Sequence, residues 1–279
     1  MKDVDNIAVS QSLIKSLFEY KEDKACGIQF YKQYFEGMLF PSSPVQKLGQ
    51  WFEFMATGAL PKDQLVPLPD KTSKNELTEA YKKMTKQLES WERLKKKYQI
   101  KILTKGRKIT VYDKSLVPNP IDGTTDLEVE LTDYQTGIHY PYVMGDIKTT
   151  GLLDNKWDDR GWEIGNLGNK VKLVMQPIHY KFIRMIETET DEEPPFMFFL
   201  FSNTNEVDHR IIKFNLDTEA NIQQHRVLIQ NTVKELHYQL KKGFKPLPEV
   251  SRCSKCPLKD NCEFFIDVPL IQEFNYNEI

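Results

Sequence analysis

The sequence predicts an α/β fold in which a central mixed sheet is flanked by helices, and three patterns carry that expectation. Over the first hundred residues, apolar positions recur at helical spacing. From Ile100 the period drops to two, the signature of strands. Beyond about residue 170, helical and strand-like runs alternate again. At 279 residues the chain can bury roughly three quarters of its unfolded surface, so its core needs no disulfide staples. The layout reads as one domain over 1–279. It has a helical part (1–99), a sheet core with an inserted helix (100–215), and a C-terminal helix with a cysteine-bearing tail (216–279).

The elements follow in order. Ser43-Pro44 is an N-cap with proline at the first helical position, and Gly58 is a natural stop. Val45, Leu48, Phe52 and Met55 form the expected buried stripe between them. Ser73-x-x-Glu76 reads as a capping box opening a long basic helix that reaches about Tyr98. Lys105-Gly106 reads as a turn, with strands near 107–112, 121–131 and 140–149. An amphipathic helix covers about 170–187, strands follow at Phe196–Phe201 and Arg210–Phe214, and a helix spans about 217–242. The tail begins after Pro246 and Pro248.

Composition excludes several classes. Hydrophobic residues make up 40% and charged residues 28%, ordinary for a globular chain and unlike a disordered one. The longest strongly apolar run, Pro195 to Phe201, is far short of the roughly 20 residues a membrane helix needs. Met-Lys-Asp-Val-Asp-Asn at the start lacks a secretory pattern, so a cytoplasmic setting is expected. No G-x-x-x-x-G-K-[ST] phosphate loop or G-x-S-x-G nucleophile elbow occurs. His139, His179, His209, His225 and His237 show no metal-ligand spacing.

The net charge is −2, which gives no general positive field for nucleic acid. The charge is uneven, however: Lys71 to Lys108 holds thirteen Lys or Arg against four Glu. Such a segment is either a polyanion-binding arm or a solvated amphipathic helix.

The chemistry concentrates in Gly123-Thr-Thr-Asp126 and Gly145-Asp146-Ile147-Lys148-Thr149-Thr150. Strand residues two apart share a face, so Asp146 and Lys148 point together while Ile147 enters the core. Gln135-Thr136-Gly137 fits a three-residue hairpin loop with glycine in the left-handed position. That register sets Asp126 opposite Asp146, with Cβ atoms about 5 Å apart. Two facing carboxylates call for a cation. Mg²⁺ or Mn²⁺ held by Asp126, Asp146 and the Ile147 carbonyl suits phosphodiester hydrolysis, with Lys148 orienting the metal-activated water or steadying the developing charge.

Asp126 followed by Asp146-x-Lys148 resembles the core of the PD-(D/E)XK nuclease superfamily, most of all its RecB/AddB-type, phage-exonuclease-like branch. That branch also carries G-x-x-x-[H/E] before the sheet and Q-x-x-x-Y after it. Here Gly49-Gln-Trp-Phe-Glu53 and Gln176-Pro-Ile-His-Tyr180 stand in the same order. The resemblance implies a restriction-endonuclease-like core. It makes Glu53 a further metal ligand or a holder of metal-bound water, and has Gln176 and Tyr180 position the phosphate backbone or Lys148. Two departures stand out: Glu53 where many iron–sulfur relatives have histidine, and Pro177 inside the motif, where it kinks the helix or marks its first turn.

Three of the four cysteines fall in Cys253-x-x-Cys256-x-x-x-x-x-Cys262, and only Cys26 remains as a fourth ligand. In a reducing compartment the choices are an iron–sulfur cluster, a zinc ion or unliganded thiols. The one-plus-three arrangement resembles the [4Fe–4S] set of AddB-type nucleases. There the cluster clasps the two ends of the chain and transfers no electrons in hydrolysis. The resemblance therefore implies a bacterial or phage-encoded DNA nuclease, with a recombination, repair or phage-processing role and a helicase or recombination partner. Lys95, Lys96 and Lys97 are its expected DNA contacts. An iron–sulfur nuclease of CRISPR adaptation and a catalytically idle DNA-binding scaffold are the alternatives.

Overall fold

A computed structural model describes residues 3–59, 76–151, 153, 171–190, 193–202, 209–215 and 218–266. Ser73 and the Asp158–Trp162 segment, readable from sequence equally as a substrate-contacting or a plain surface loop, lie outside them. Six strands form one mixed sheet: β1 (Val9–Ser10), β2 (Lys101–Val111), β3 (Ile121–Thr132), β4 (His139–Thr150), β5 (Phe196–Ser202) and β6 (His209–Phe214). β3 pairs antiparallel with β2 and β4 and parallel with β1. β5 runs parallel to β4 and antiparallel to β6.

β5 explains why the sheet has two cores. Every residue of Phe196–Ser202 is buried, as a central strand covered on both faces must be. Phe196, Phe198 and Leu200 enter one cluster, and Met197, Phe199 and Phe201 the other. The first cluster holds residues of helices α1 (Gln11–Lys21), α2 (Gly27–Tyr34), α5 (Val171–Thr188) and α6 (Thr218–Lys242). The second holds α3 (Pro44–Thr57) and α4 (Glu79–Lys97). There Trp91 meets Phe199 edge-on at 5.7 Å, and its indole N–H donates to Ala56 O at 2.9 Å. The connection from β4 to its parallel neighbour β5 passes through α5, the crossover that parallel pairing requires.

Several expectations need correcting. β1 is a strand inside the supposedly helical first hundred residues. Lys105-Gly106 is no turn: β2 runs through it, because Gly106 takes φ +57° within the strand while pairing with β3 continues on both sides. α4 starts at Glu79 with Thr78 as N-cap, its hydroxyl accepting from Tyr81 N at 3.2 Å, so no box at Glu76 opens it. In α3 the Ser43 capping box and the left-handed Gly58 stop are present. Its buried side, however, runs through Phe52 and Ala56, and Met55 is exposed. Phe52 keeps its predicted place, and Ala56 takes the one expected for Met55. Pro177 stands well inside α5 and does not mark its first turn.

The β3–β4 hairpin reaches its register by an unforeseen route. The loop has four residues, 134–137, closed by Asp133 N to Ile138 O at 2.8 Å, with Gly137 at φ +71°. Pairing then runs Thr132 to His139 and Leu131 to Tyr140, slips by one residue across Pro141-Tyr142, and resumes at Val129 to Val143. A bulge at a proline is natural, because proline has no N–H to give a ladder. The extra residue offsets the longer loop, and Leu127 faces Gly145, the register that a three-residue loop without a bulge would have produced.

Candidate active site

The ladder between β3 and β4 ends at Leu127 and Gly145, one residue short of the two aspartates. Beyond it, Ile147 N donates to Asp126 Oδ2 at 3.0 Å, so a side chain takes over where the next backbone bond would fall. A strand residue presents its N–H and C=O on the same edge, so the Ile147 carbonyl opens on this gap. Asp126 and Asp146 are electrostatic neighbours across this gap. Lys148 Nζ lies 2.5 Å from Asp146 Oδ2. That oxygen is buried and has no well-aligned hydrogen bond.

α3 and α5 complete the cluster. Glu53 interacts electrostatically with both Asp146 and Lys148. Gly49, one turn earlier, abuts β4: a Cβ there would lie 3.7 Å from Thr149 Oγ1. On α5, Gln176 Nε2 donates to Asp146 Oδ1, and the Tyr180 hydroxyl donates to Thr124 O at 2.8 Å. Gln176 and Tyr180 also lie within interaction range of each other, as i,i+4 neighbours can. Gln176 thus holds a carboxylate, and Tyr180 holds β3. Gly123 makes Tyr180's approach possible, since a Cβ there would sit 2.6 Å from the tyrosine ring. No motif in the sequence marked that role.

The electrostatics follow from burial and crowding. Burial and then the Asp146 charge push Asp126 well above the usual carboxylate range. Glu53 is raised by burial first and by Asp146 second, against the pull of Lys148. Burial works against the Lys148 ammonium, but Asp146 and Asp126 outweigh it and carry the group up to about 12. Glu53 and Asp126, both raised, stand with Asp146 around a single lysine cation.

Among the described residues, no three metal-ligating side chains converge tightly enough to clasp an ion as they stand. The donor set nonetheless fits a hard cation. It consists of carboxylate oxygens with a backbone carbonyl beside them, and of two acids, Glu53 and Asp126, held up by burial and then by the Asp146 charge.

Lys95, Lys96 and Lys97 are elsewhere. They form the last turn of α4, where Tyr98 O accepts from Thr132 N at 2.9 Å and Lys97 Nζ lies 4.1 Å over the Tyr134 ring. From Asp126 to Thr132 along β3 is about 20 Å at strand rise. The opposite half of α4 is nearer the carboxylates. Gln87 there donates to Ser202 O at 2.9 Å, and Ser202 pairs with Thr150. Lys82, Lys83 and Lys86 belong to that half.

The four cysteines come together from both ends of the chain. Cys26, Cys253, Cys256 and Cys262 are half-buried free thiols that line one cavity of about 440 Å³. Backbone bonds tie the tail to α2, with Gly27 N donating to Lys245 O at 3.0 Å. Gly27 has to be glycine for this, because a Cβ would lie 2.4 Å from that oxygen. Four thiols around a cavity of this size suit a soft metal group.

Mixed sheet, flanking helices and a carboxylate–lysine cluster at the splayed strand ends together define a restriction-endonuclease-like α/β fold. A solved structure from Eubacterium rectale, described as a candidate exonuclease, superposes with a TM-score of 0.60 at 16% identity, covering 97% of this chain and 92% of that one. The likeness is one of fold. A second structure, SSO0001, covers 95% of this chain and 90% of that one at 13% identity, but its TM-score of 0.34 carries no argument. No family model matches the chain, and no curated protein matches it in sequence.

Proposed function

We propose that this chain is a metal-dependent DNA nuclease, an exonuclease, with an accessory [4Fe–4S] cluster held by Cys26, Cys253, Cys256 and Cys262. The observation that carries the reading is Lys148 Nζ at 2.5 Å from the buried Asp146, with Asp126 held on the facing strand end by Ile147 N at 3.0 Å. The candidate-exonuclease description of the E. rectale structure agrees with it.

Asp126, Asp146, Glu53 and the Ile147 carbonyl would hold Mg²⁺ or Mn²⁺. When bound, that ion supplies an activated water and neutralises charge on the phosphate. Lys148, charged throughout the neutral range, orients the attacking water and stabilises the oxyanion. Gln176 fixes the Asp146 carboxylate, and Tyr180 fixes the β3 backbone beside Asp126. Lys95 to Lys97 would meet the DNA backbone about six base pairs from the scissile phosphate, at about 3.4 Å of helix axis per pair. Lys82, Lys83 and Lys86 would act closer in. The cluster serves as a clasp, and zinc is the lesser occupant. A DNA-repair or recombination setting, with a helicase partner, completes the reading.

The test is digestion of end-labelled single- and double-stranded DNA with Mg²⁺ or Mn²⁺, beside thermal melting with and without the ion. Wild type should cleave and gain stability from Mn²⁺, as any ligand of the native state confers it. Asp146→Asn should lose both while remaining folded. Cleavage at near wild-type rate by Asp146→Asn would sink the proposal.

A further inference from the structure

Arg252 precedes Cys253 and lines the four-cysteine cavity together with Gln29 and Lys255. Its guanidinium is held on two sides: Nε lies 2.8 Å from Glu249 Oε2, and Nη2 donates to Asp23 O at 3.3 Å. The third nitrogen, Nη1, is buried and has no acceptor. A guanidinium stays charged at every physiological pH, and burying one of its N–H groups unpaired is costly. Such a group calls for an acceptor that the protein itself does not provide.

The sulfurs of the same cavity already gather donors. Gln29 Nε2 donates to Cys256 Sγ at 3.2 Å, and Leu258 N to the same sulfur at 3.4 Å. Leu247 N donates to Cys26 Sγ at 3.5 Å. Donors converging on sulfur suit thiolate and sulfide, which are anionic acceptors, better than neutral thiol.

We infer that Arg252, through Nη1, and Gln29, through Nε2, hydrogen-bond the sulfurs of the iron–sulfur group and offset its negative charge. Both are positioning residues, since neither can ligate iron. The inference rests on the cluster reading of the cysteines proposed above. Net charge and hydrogen bonds to sulfur govern the reduction potential of such a group. A cation and a donor beside it stabilise the more negative, reduced state, so removing them lowers the potential. Glu249 separates this role from a structural one, because it anchors the guanidinium without being one of the donors.

The experiment uses the full chain purified without oxygen. It reads iron and sulfide content, midpoint potential by dye-mediated titration, and the rate of iron release to a chelator. Wild type should hold about four irons, the complement of four Cys thiolates. Arg252→Gln should lower the midpoint potential and release iron about tenfold faster, the low end of what outer-shell partners contribute to metal affinity. Arg252→Lys should recover part of the potential, and Gln29→Leu should shift it in the same direction by less. Glu249→Gln, which removes a negative charge and leaves both donors, should move the potential the opposite way, upward. Wild type with full iron, and an Arg252→Gln variant with unchanged potential and release rate, would overturn the inference and leave the cluster standing. Wild type with zinc or no iron would remove the cluster reading and the inference together. Should Arg252→Gln not fold, Gln29→Leu decides, and an unchanged potential there overturns the donor assignment.

Discussion

Lys148 is where charge, burial and chemistry meet in a single side chain. Its ammonium balances Asp146 at 2.5 Å and is carried up to about 12 by the two aspartates, so it stays charged across the neutral range. Two roles are open to such a lysine, support for the carboxylates or stabilisation of charge on the reacting phosphate. Lys148→Ala separates them. The variant should cleave DNA at least about 100-fold more slowly, the scale of losing one donor to a developing oxyanion. Calorimetry should still show Mn²⁺ binding, because the three acids and the Ile147 carbonyl remain. Loss of metal binding alongside activity would assign Lys148 to holding the carboxylates.

Helix α5 brings Gln176 and Tyr180 to the strands, and a pair of buried histidines seats its middle. His179 Nε2 lies 2.9 Å from Asp122 O, so that nitrogen carries a proton and Nδ1 is left to accept. His225 Nε2, 3.0 Å from His179 Nδ1, is then the donor between the two rings. Both rings are neutral in this chain of bonds. Burial holds His179 below its ordinary range, and burial followed by the neighbouring imidazole holds His225 well below. With folded values depressed, the stability they contribute is full above the unfolded value of about 6.5 and is lost as pH falls below it. Glu53 and Asp126, raised in the fold, act in the opposite sense, since protonation relieves their repulsion. The measurement is therefore a difference. Melting of wild type against His225→Phe from about pH 7 to 5 should show wild type losing up to about 1.4 kcal/mol more per pH unit, the contribution of the one histidine removed. Parallel pH profiles would mean that the pair charges without cost.

Across the whole molecule, α4 carries basic charge away from the carboxylates, and the chain ends meet at the cysteines. Replacing Lys95, Lys96 and Lys97 by Gln should weaken DNA binding irrespective of sequence and flatten its log–log salt slope by up to about 2.7, near 0.9 per phosphate contact. An unchanged slope would make this turn of α4 a solvated face. Beside the cysteine-bearing tail, Phe244 packs on Phe30 and Phe35 at 5.3 Å each, and Lys245 N donates to Tyr20 Oη at 3.1 Å. The tail up to Lys245 is therefore anchored without any metal, and only the segment beyond Pro246 depends on the cysteines. Cys26→Ser should lose the metal as fully as Cys256→Ser does, and limited proteolysis should then cut after Pro246 while sparing Phe244. Full metal content in Cys26→Ser would remove the long-range clasp.

Short-range pattern was enough for much of this. The two-residue spacing of Asp146 and Lys148 forces them onto one face, Ser43-Pro44 and Gly58 bracket α3, and an unbroken apolar run made β5 a buried strand. The one-plus-three cysteines were legible as a set because no other cysteines exist. Other features depend on the neighbours packed across from an element, which periodicity does not encode. Met55 is exposed because α3 turns Phe52 and Ala56 to the core and Glu53 toward the carboxylates. The aspartates came into register through a four-residue loop and a bulge whose offsets cancel. Gln176 found Asp146, Tyr180 found the space over Gly123, and Arg252 Nη1 was buried without an acceptor. These are outcomes of packing: each is set by contacts between residues distant in the chain, where volume and desolvation decide, and local sequence supplies only the candidates.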